Sequence, residues 1–132
     1  MAVPVRASEA ILGSARPWVL LAFRIVVTVL FLLHPASALG LLDGSAPAAP
    51  MIAISAVEIV CVLLVAVGLY TRVAAFLLSG MMAFAFFVIH TSAGWNWIDN
   101  GGEPAALYCW VFLLLVVLGP GPLSLDRRRL GD

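Results

Sequence analysis

Apolar residues fall along this chain in four long runs separated by short polar stretches. A bilayer hydrocarbon core about 30 Å thick is crossed by about 20 helical residues, with a range of about 17 to 25. The first run covers 18–39, the second 51–70, the third 73–93 and the fourth, the shortest, 104–118. Between the first two, Gly40 to Pro50 carries Gly, Asp and Pro residues that do not continue a helix comfortably. Only the corner Tyr70-Thr71-Arg72 divides the second from the third, which makes those two antiparallel neighbours. The third and fourth are joined by Thr91 to Glu103, where Trp95 and Trp97 suit the aromatic belt at a membrane surface. The pattern predicts an all-α integral membrane four-helix bundle, with residues 1–132 as one transmembrane domain.

Composition supports lipid as the solvent. Of 132 residues, 64% are hydrophobic and 11% charged, against about 25% charged in soluble domains. Seven basic and seven acidic side chains cannot coat that much apolar surface in water. The net charge of zero leaves no general basic face, so nucleic acid is not an expected partner; the lipid bilayer is.

The few basic residues set an orientation. Arg6 and Arg16 precede the first run, Arg72 divides the second and third, and Arg127 to Arg129 follow the fourth, while the other two loops hold no Lys or Arg. The positive-inside rule then puts both termini on the cytoplasmic side of the inner (plasma) membrane and the loops with Asp43 and Asp99 outside. A competing expectation is a signal peptide with Ile25 to Leu33 as its core and Ala36-Ser37-Ala38 as its cleavage site. It would need 38 residues, where such peptides usually span about 15 to 30, and Arg24 interrupts its apolar approach.

Ionisable residues at membrane depth cost roughly 2.5 to 3.5 kcal/mol each on insertion scales, so each needs a partner or a purpose. Arg24, His34, Glu58 and His90 are of this kind. With a rise of about 1.5 Å per residue, Arg24 lies about 9 Å from the cytoplasmic edge, Glu58 about 18 Å and both histidines about 25 Å. Arg24 and Glu58 stand on adjacent antiparallel spans, and two long side chains are expected to close the gap into an intramembrane salt bridge. His90 shares a helix face with Ala75, Ser79 and Ala83, a small-residue packing face that would point it into the bundle. With Glu103 and Asp99, the histidines are candidates for a metal, proton-relay or quinone-headgroup site near the outer interface; the plainer alternative is histidines hydrogen-bonded to loop backbone. Cys61 and Cys109 lie alone in apolar runs, with no zinc or redox spacing, and are expected to be small buried side chains.

Taken in order, these features resemble the DoxX family of small bacterial membrane proteins, from Arg24 to Asp126. An arginine stands early in span one (Arg24), a histidine ends it (His34), and a glutamate stands in span two (Glu58). A Gly-x-x-Thr-Arg corner (Gly68 to Arg72), a histidine ending span three (His90) and Gly101-Gly102-Glu103 entering span four follow. The tail from Gly119 to Asp126, GPGPLSLD, looks most like the family signature. Pro35, where the family usually has glycine, is a departure. The resemblance implies a four-helix membrane bundle in a group that includes the small subunit of thiosulfate:quinone oxidoreductases and anchors of oxidative-stress complexes.

Three functions follow as expectations. The first is a membrane subunit or anchor of a redox assembly, oxidoreductase-linked through a partner protein, in which the outer polar cluster meets a quinone or thiol; the candidate polar residues are Arg24, His34, Glu58, His90 and Glu103. The second is a non-enzymatic scaffold or assembly factor, and the third a small-solute or proton carrier, disfavoured by the lack of paired inverted repeats. No residue is assigned a catalytic role, and no metal site is expected.

Overall fold

The computed structural model of the chain describes residues 5–131. Its elements are helices α1 (Val5–Ala38), α2 (Ala49–Val67), α3 (Thr71–Phe84), α4 (Glu103–Leu118) and the short α5 (Leu125–Arg129). Beyond α3 the rod continues as a π turn, Ala85–Ile89, and a 3-10 turn, His90–Ala93. No strand occurs among the described residues.

Helix α1 starts well before the apolar run at Trp18 and passes through both Pro17 and Pro35. Each proline removes one helical N–H donor, freeing the carbonyls of Gly13 and Phe31, yet the helix persists to Ala38. Helix α2 stops three residues short of the expected boundary. Gly68 adopts φ +73°, its N–H donates to the Val65 carbonyl and that of Leu69 to the Leu64 carbonyl, the two-bond closure that a left-handed glycine permits. Tyr70 is also left-handed, at φ +49°, so two tight residues reverse the chain into α3.

The third run departs from a uniform α-helix. The π turn widens the helix by one residue, so positions beyond Phe84 are rotated from the face that Ala75 and Ser79 establish. Ala75 and Ser79 are buried as expected, and the Ser79 hydroxyl donates to the Cys109 carbonyl on α4 at 2.8 Å. His90, past the turn, is only half-buried.

The core is a narrow seam: Phe31 from α1, Val62 and Val65 from α2, Leu78 and Met82 from α3, Phe112 and Leu115 from α4. Phe31 meets Phe112 edge-on with ring centres 5.0 Å apart, a favoured aromatic geometry. Outside the seam, every helix presents large apolar side chains outward, such as Val29 and Leu33, Val57 and Val60, Phe76 and Phe87, Leu107 and Trp110. An apolar coat on that scale is unsustainable in water and suits acyl chains. Helices α1, α2 and the rod Thr71–Ala93 are long and apolar enough to cross a membrane, and α4 is a shorter apolar helix of 16 residues.

Candidate functional site

Polar groups collect in two places, one at each end of the seam. At the arginine-bearing end, Arg24 is 2% exposed and does not meet Glu58. Its Nε donates to the Ala66 carbonyl at 3.2 Å, its Nη1 to the Pro120 carbonyl and its Nη2 to the Leu123 carbonyl at 2.8 Å. The expected Arg24–Glu58 salt bridge is therefore corrected. The last carbonyls of α2 have no intrahelical donors and mark the negative end of its dipole, so they attract the guanidinium more closely than a carboxylate deeper in the bundle.

The same end holds two further side-chain caps. Asp126 accepts from the backbone N–H groups of Tyr70 at 2.7 Å and Thr71 at 2.9 Å, supplying the N-terminal cap that α3 lacks locally. Arg72 Nη1 donates to the carbonyls of Val116 and Val117 at the end of α4. Burial works to raise the Asp126 pKa, but the donated N–H groups of Thr71 and Tyr70 and the charge of Arg129 outweigh it and hold the carboxyl below its ordinary value. Glycine is required twice. A Cβ on Gly68 would lie 2.5 Å from the Ser124 Cβ, and one on Gly119, at φ +74°, would lie 2.8 Å from Arg72 Nη2.

At the other end stands the Glu58 site. Glu58 is 1% exposed on the inward face of α2, and the Nδ1 of His34 lies 3.3 Å from its Oε2. The His34 side chain is 41% exposed, so this imidazole joins the buried carboxylate to the outer surface of the bundle. The fully buried Phe31 stacks on the His34 ring at 5.5 Å and meets Tyr108 edge-on at 5.1 Å, which holds the imidazole against the core. Ser55, one turn before Glu58 on the same face, is fully buried, and its hydroxyl has no hydrogen-bond partner among the described residues.

The outer cluster expected from sequence divides. His90 Nδ1 lies 3.0 Å from the Asn100 carbonyl oxygen, Asp99 accepts from the Asn96 amide, and Glu103 is exposed at the start of α4. Among the described residues no hydrogen bond or ion pair joins these three to His34 or Glu58. His90 is thus a loop-fastening histidine, because the π turn rotates it toward the 94–102 segment. Asn100 completes that fastening: its amide donates to the Gly94 carbonyl at 2.8 Å and its Oδ1 accepts from the Gly102 N–H at 2.7 Å. Cys61 and Cys109 are free thiols, Cys61 buried and Cys109 half-buried. Among the described residues, no three His, Cys, Asp or Glu side chains are grouped to hold a metal ion.

Sequence reasoning passed over Ser55, Tyr108 and Asn100. Ser55 carried a usable signal, its three-residue spacing from Glu58 on one helix. Tyr108 and Asn100 carried none, because their roles depend on how α4 and the 94–102 segment fold back onto α1 and the π turn.

Comparison with known proteins agrees with this architecture. A family model described as DoxX matches residues 19–91. An uncharacterized protein of Haemophilus influenzae is 41% identical over 129 residues, covering 89% of this chain and 95% of its own length. The inner membrane protein YphA of Escherichia coli is 33% identical over 137 residues, covering 88% of this chain and 94% of its own length. No solved structure matches. With its apolar helices, its match to the family model over more than half its length and these near full-length relatives, the chain belongs to the DoxX family and is a multi-pass protein of the inner membrane.

Proposed function

We propose that this protein is the membrane subunit or anchor of a redox assembly, in which the His34–Glu58 pair handles protons for a quinone or thiol while a partner protein supplies the electrons. The observation that carries the reading is the buried Glu58 carboxylate coupled to a half-exposed His34 imidazole. Reducing a quinone to a quinol takes two electrons and two protons, and a histidine backed by a carboxylate is a proton donor suited to that load. The Ser55 hydroxyl, lacking a partner, adds a hydrogen-bonding group on the same face as Glu58. His90, Asp99 and Glu103 shape the outer loop rather than the proton site in this reading.

The proposal includes four spans, with α4 as the fourth, a single bundle domain, and both termini in the cytoplasm. At about 1.5 Å per residue, α4 is about 24 Å long and crosses if the adjoining Gly102 and Gly119 segments sit at the two interfaces. The arginine caps support the orientation, since Arg24, Arg72 and Asp126 gather at the end that carries Arg16 and Arg127 to Arg129.

The test is affinity purification of the tagged protein in mild detergent, with mass spectrometry of co-purifying proteins and extracted lipids. A redox enzyme or quinone is expected, with quinone retention lost in Glu58→Gln and His34→Ala. Absence of bound quinone, together with no change in quinone- or thiol-linked activity when the gene is deleted, would remove the reading. A scaffold role is the second reading. It is favoured by the observation that Arg24, Arg72 and Asp126 all bind backbone groups, and it predicts partner recovery that survives both substitutions.

A further inference from the structure

A cleft of about 790 Å³ opens at the arginine end of the bundle, between α1, the start of α3, the end of α4 and the tail. Four arginines line it, Arg16, Arg72, Arg127 and Arg129, against one acid, Asp126. That acid is already committed, because its two oxygens accept from the Tyr70 and Thr71 N–H groups. Asp126 still carries its charge and interacts with Arg129, but one carboxylate against four guanidinium groups leaves the cleft with a positive excess. Arg16 has no hydrogen-bonding or ionic partner among the described residues, and Arg72 uses only Nη1 on the α4 carbonyls, leaving its other donors available. Arg129 sits 4.8 Å above the Tyr70 ring, which holds its guanidinium at the cleft.

The remaining lining is apolar. Leu20 stands one turn beyond Arg16 and lines the cleft with Val73 and Leu118. The site thus places guanidinium groups at membrane-surface depth directly beside residues that continue into the apolar band. That pairing of chemistries matches an amphiphile with a phosphate head, since guanidinium groups grip phosphate oxygens in pairs and basic residues at a membrane surface are drawn to anionic lipid.

We propose that this cleft is a binding site for the headgroup of an anionic phospholipid, with Arg16, Arg72 and Arg129 on the phosphate and one acyl chain along Leu20, Val73 and Leu118. Its placement in the inner leaflet rests on the orientation proposed above; the site itself does not. The headgroup fills a gap between the first helix and the C-terminal tail, so the bound lipid joins segments that the chain brings together only at its end.

The full-length protein is reconstituted in phosphatidylcholine nanodiscs with or without phosphatidylglycerol, and thermal stability and lipid retention are measured by native mass spectrometry. Wild type is expected to gain several degrees with phosphatidylglycerol and to retain it at least about fivefold over phosphatidylcholine. Arg16→Gln is expected to lose most of that preference, while Arg6→Gln, which removes the same charge from α1 outside the cleft, keeps it. Equal losses in the two variants would reduce the effect to general surface attraction and overturn the proposal. Saturation by inorganic phosphate or glycerol phosphate alone, with no added gain from the lipid, would assign the cleft to a soluble phosphate and overturn its lipid part. Size-exclusion profiles of both variants show whether folding is intact; if Arg16→Gln misfolds, competition between phosphatidylglycerol and inorganic phosphate on wild type decides the matter.

Discussion

The Nδ1 of His34 lies 3.3 Å from the Oε2 of Glu58, joining a half-exposed imidazole to a carboxylate that is 1% exposed. The contact links α1 to α2, and it is a relationship that Arg24 was expected to hold. Each nitrogen of Arg24 donates to a carbonyl, and among the described residues no hydrogen bond or ion pair joins it to Glu58, so the two polar centres are expected to be energetically separate.

That separation is measurable. In a double-mutant cycle, Arg24→Gln with Glu58→Gln is expected to be additive within about 0.5 kcal/mol, while His34→Ala with Glu58→Gln shows coupling of about 1 kcal/mol or more. Chemical denaturation in detergent micelles reads both. Strong Arg24–Glu58 coupling would show that the two centres act as one.

Arg24→Gln alone is expected to destabilise the fold by roughly 2–4 kcal/mol, since it strips donors from buried carbonyls of α2 and the tail. Arg24→Lys is expected to recover only part of this, because an ammonium cannot reproduce the planar fork that reaches Ala66, Pro120 and Leu123 together. Thermal melting of the purified variants ranks them.

Gly68→Ala is expected to cost about 1–3 kcal/mol, combining a left-handed backbone with a Cβ placed 2.5 Å from Ser124. Gly13→Ala is the contrast, since nothing lies within 4 Å of its Cβ position. It should leave stability unchanged or slightly raised, by a few tenths to about 1 kcal/mol, in the same melts.

Asp126 gives a pH dependence. Its native pKa is lowered, so its contribution is fully present above the ordinary aspartate value of about 3.9 and is lost as pH falls through the lowered native value. Asp126→Asn should therefore be less stable than wild type at neutral pH, with the difference narrowing below about pH 4. Melting curves from pH 3 to 7 test the sign; a gap that widens on acidification contradicts it.

Much of the fold was legible because lipid imposes few solutions on a run of apolar residues. The second and fourth helices and the rod Thr71–Ala93 fall within a few residues of their runs, and the corner at Tyr70 to Arg72 reverses the chain as expected. Depth counting was less informative about partners. It ranked Arg24, Glu58 and the histidines by height, but helix ends offer carbonyls and amides that compete for charged side chains and carry no signature in sequence. The π turn had a comparable effect, moving His90 away from the face that a uniform 3.6-residue period assigns it. The motif residues Gly68, Arg72, Ser124 and Asp126 read from the sequence as a signature, and the structure gives them a common physical task at one end of the bundle.

Arg24 and Leu123 are 99 positions apart. At synthesis rates of about 5–20 residues per second, the arginine waits roughly 5 to 20 s before its last acceptor exists. For most of that interval the Ala66 carbonyl is the one acceptor already made, and the Pro120 and Leu123 carbonyls come last. Only when the tail arrives are all three nitrogens of Arg24 matched, so chains stopped before Pro120 are expected to fold less stably than the full chain.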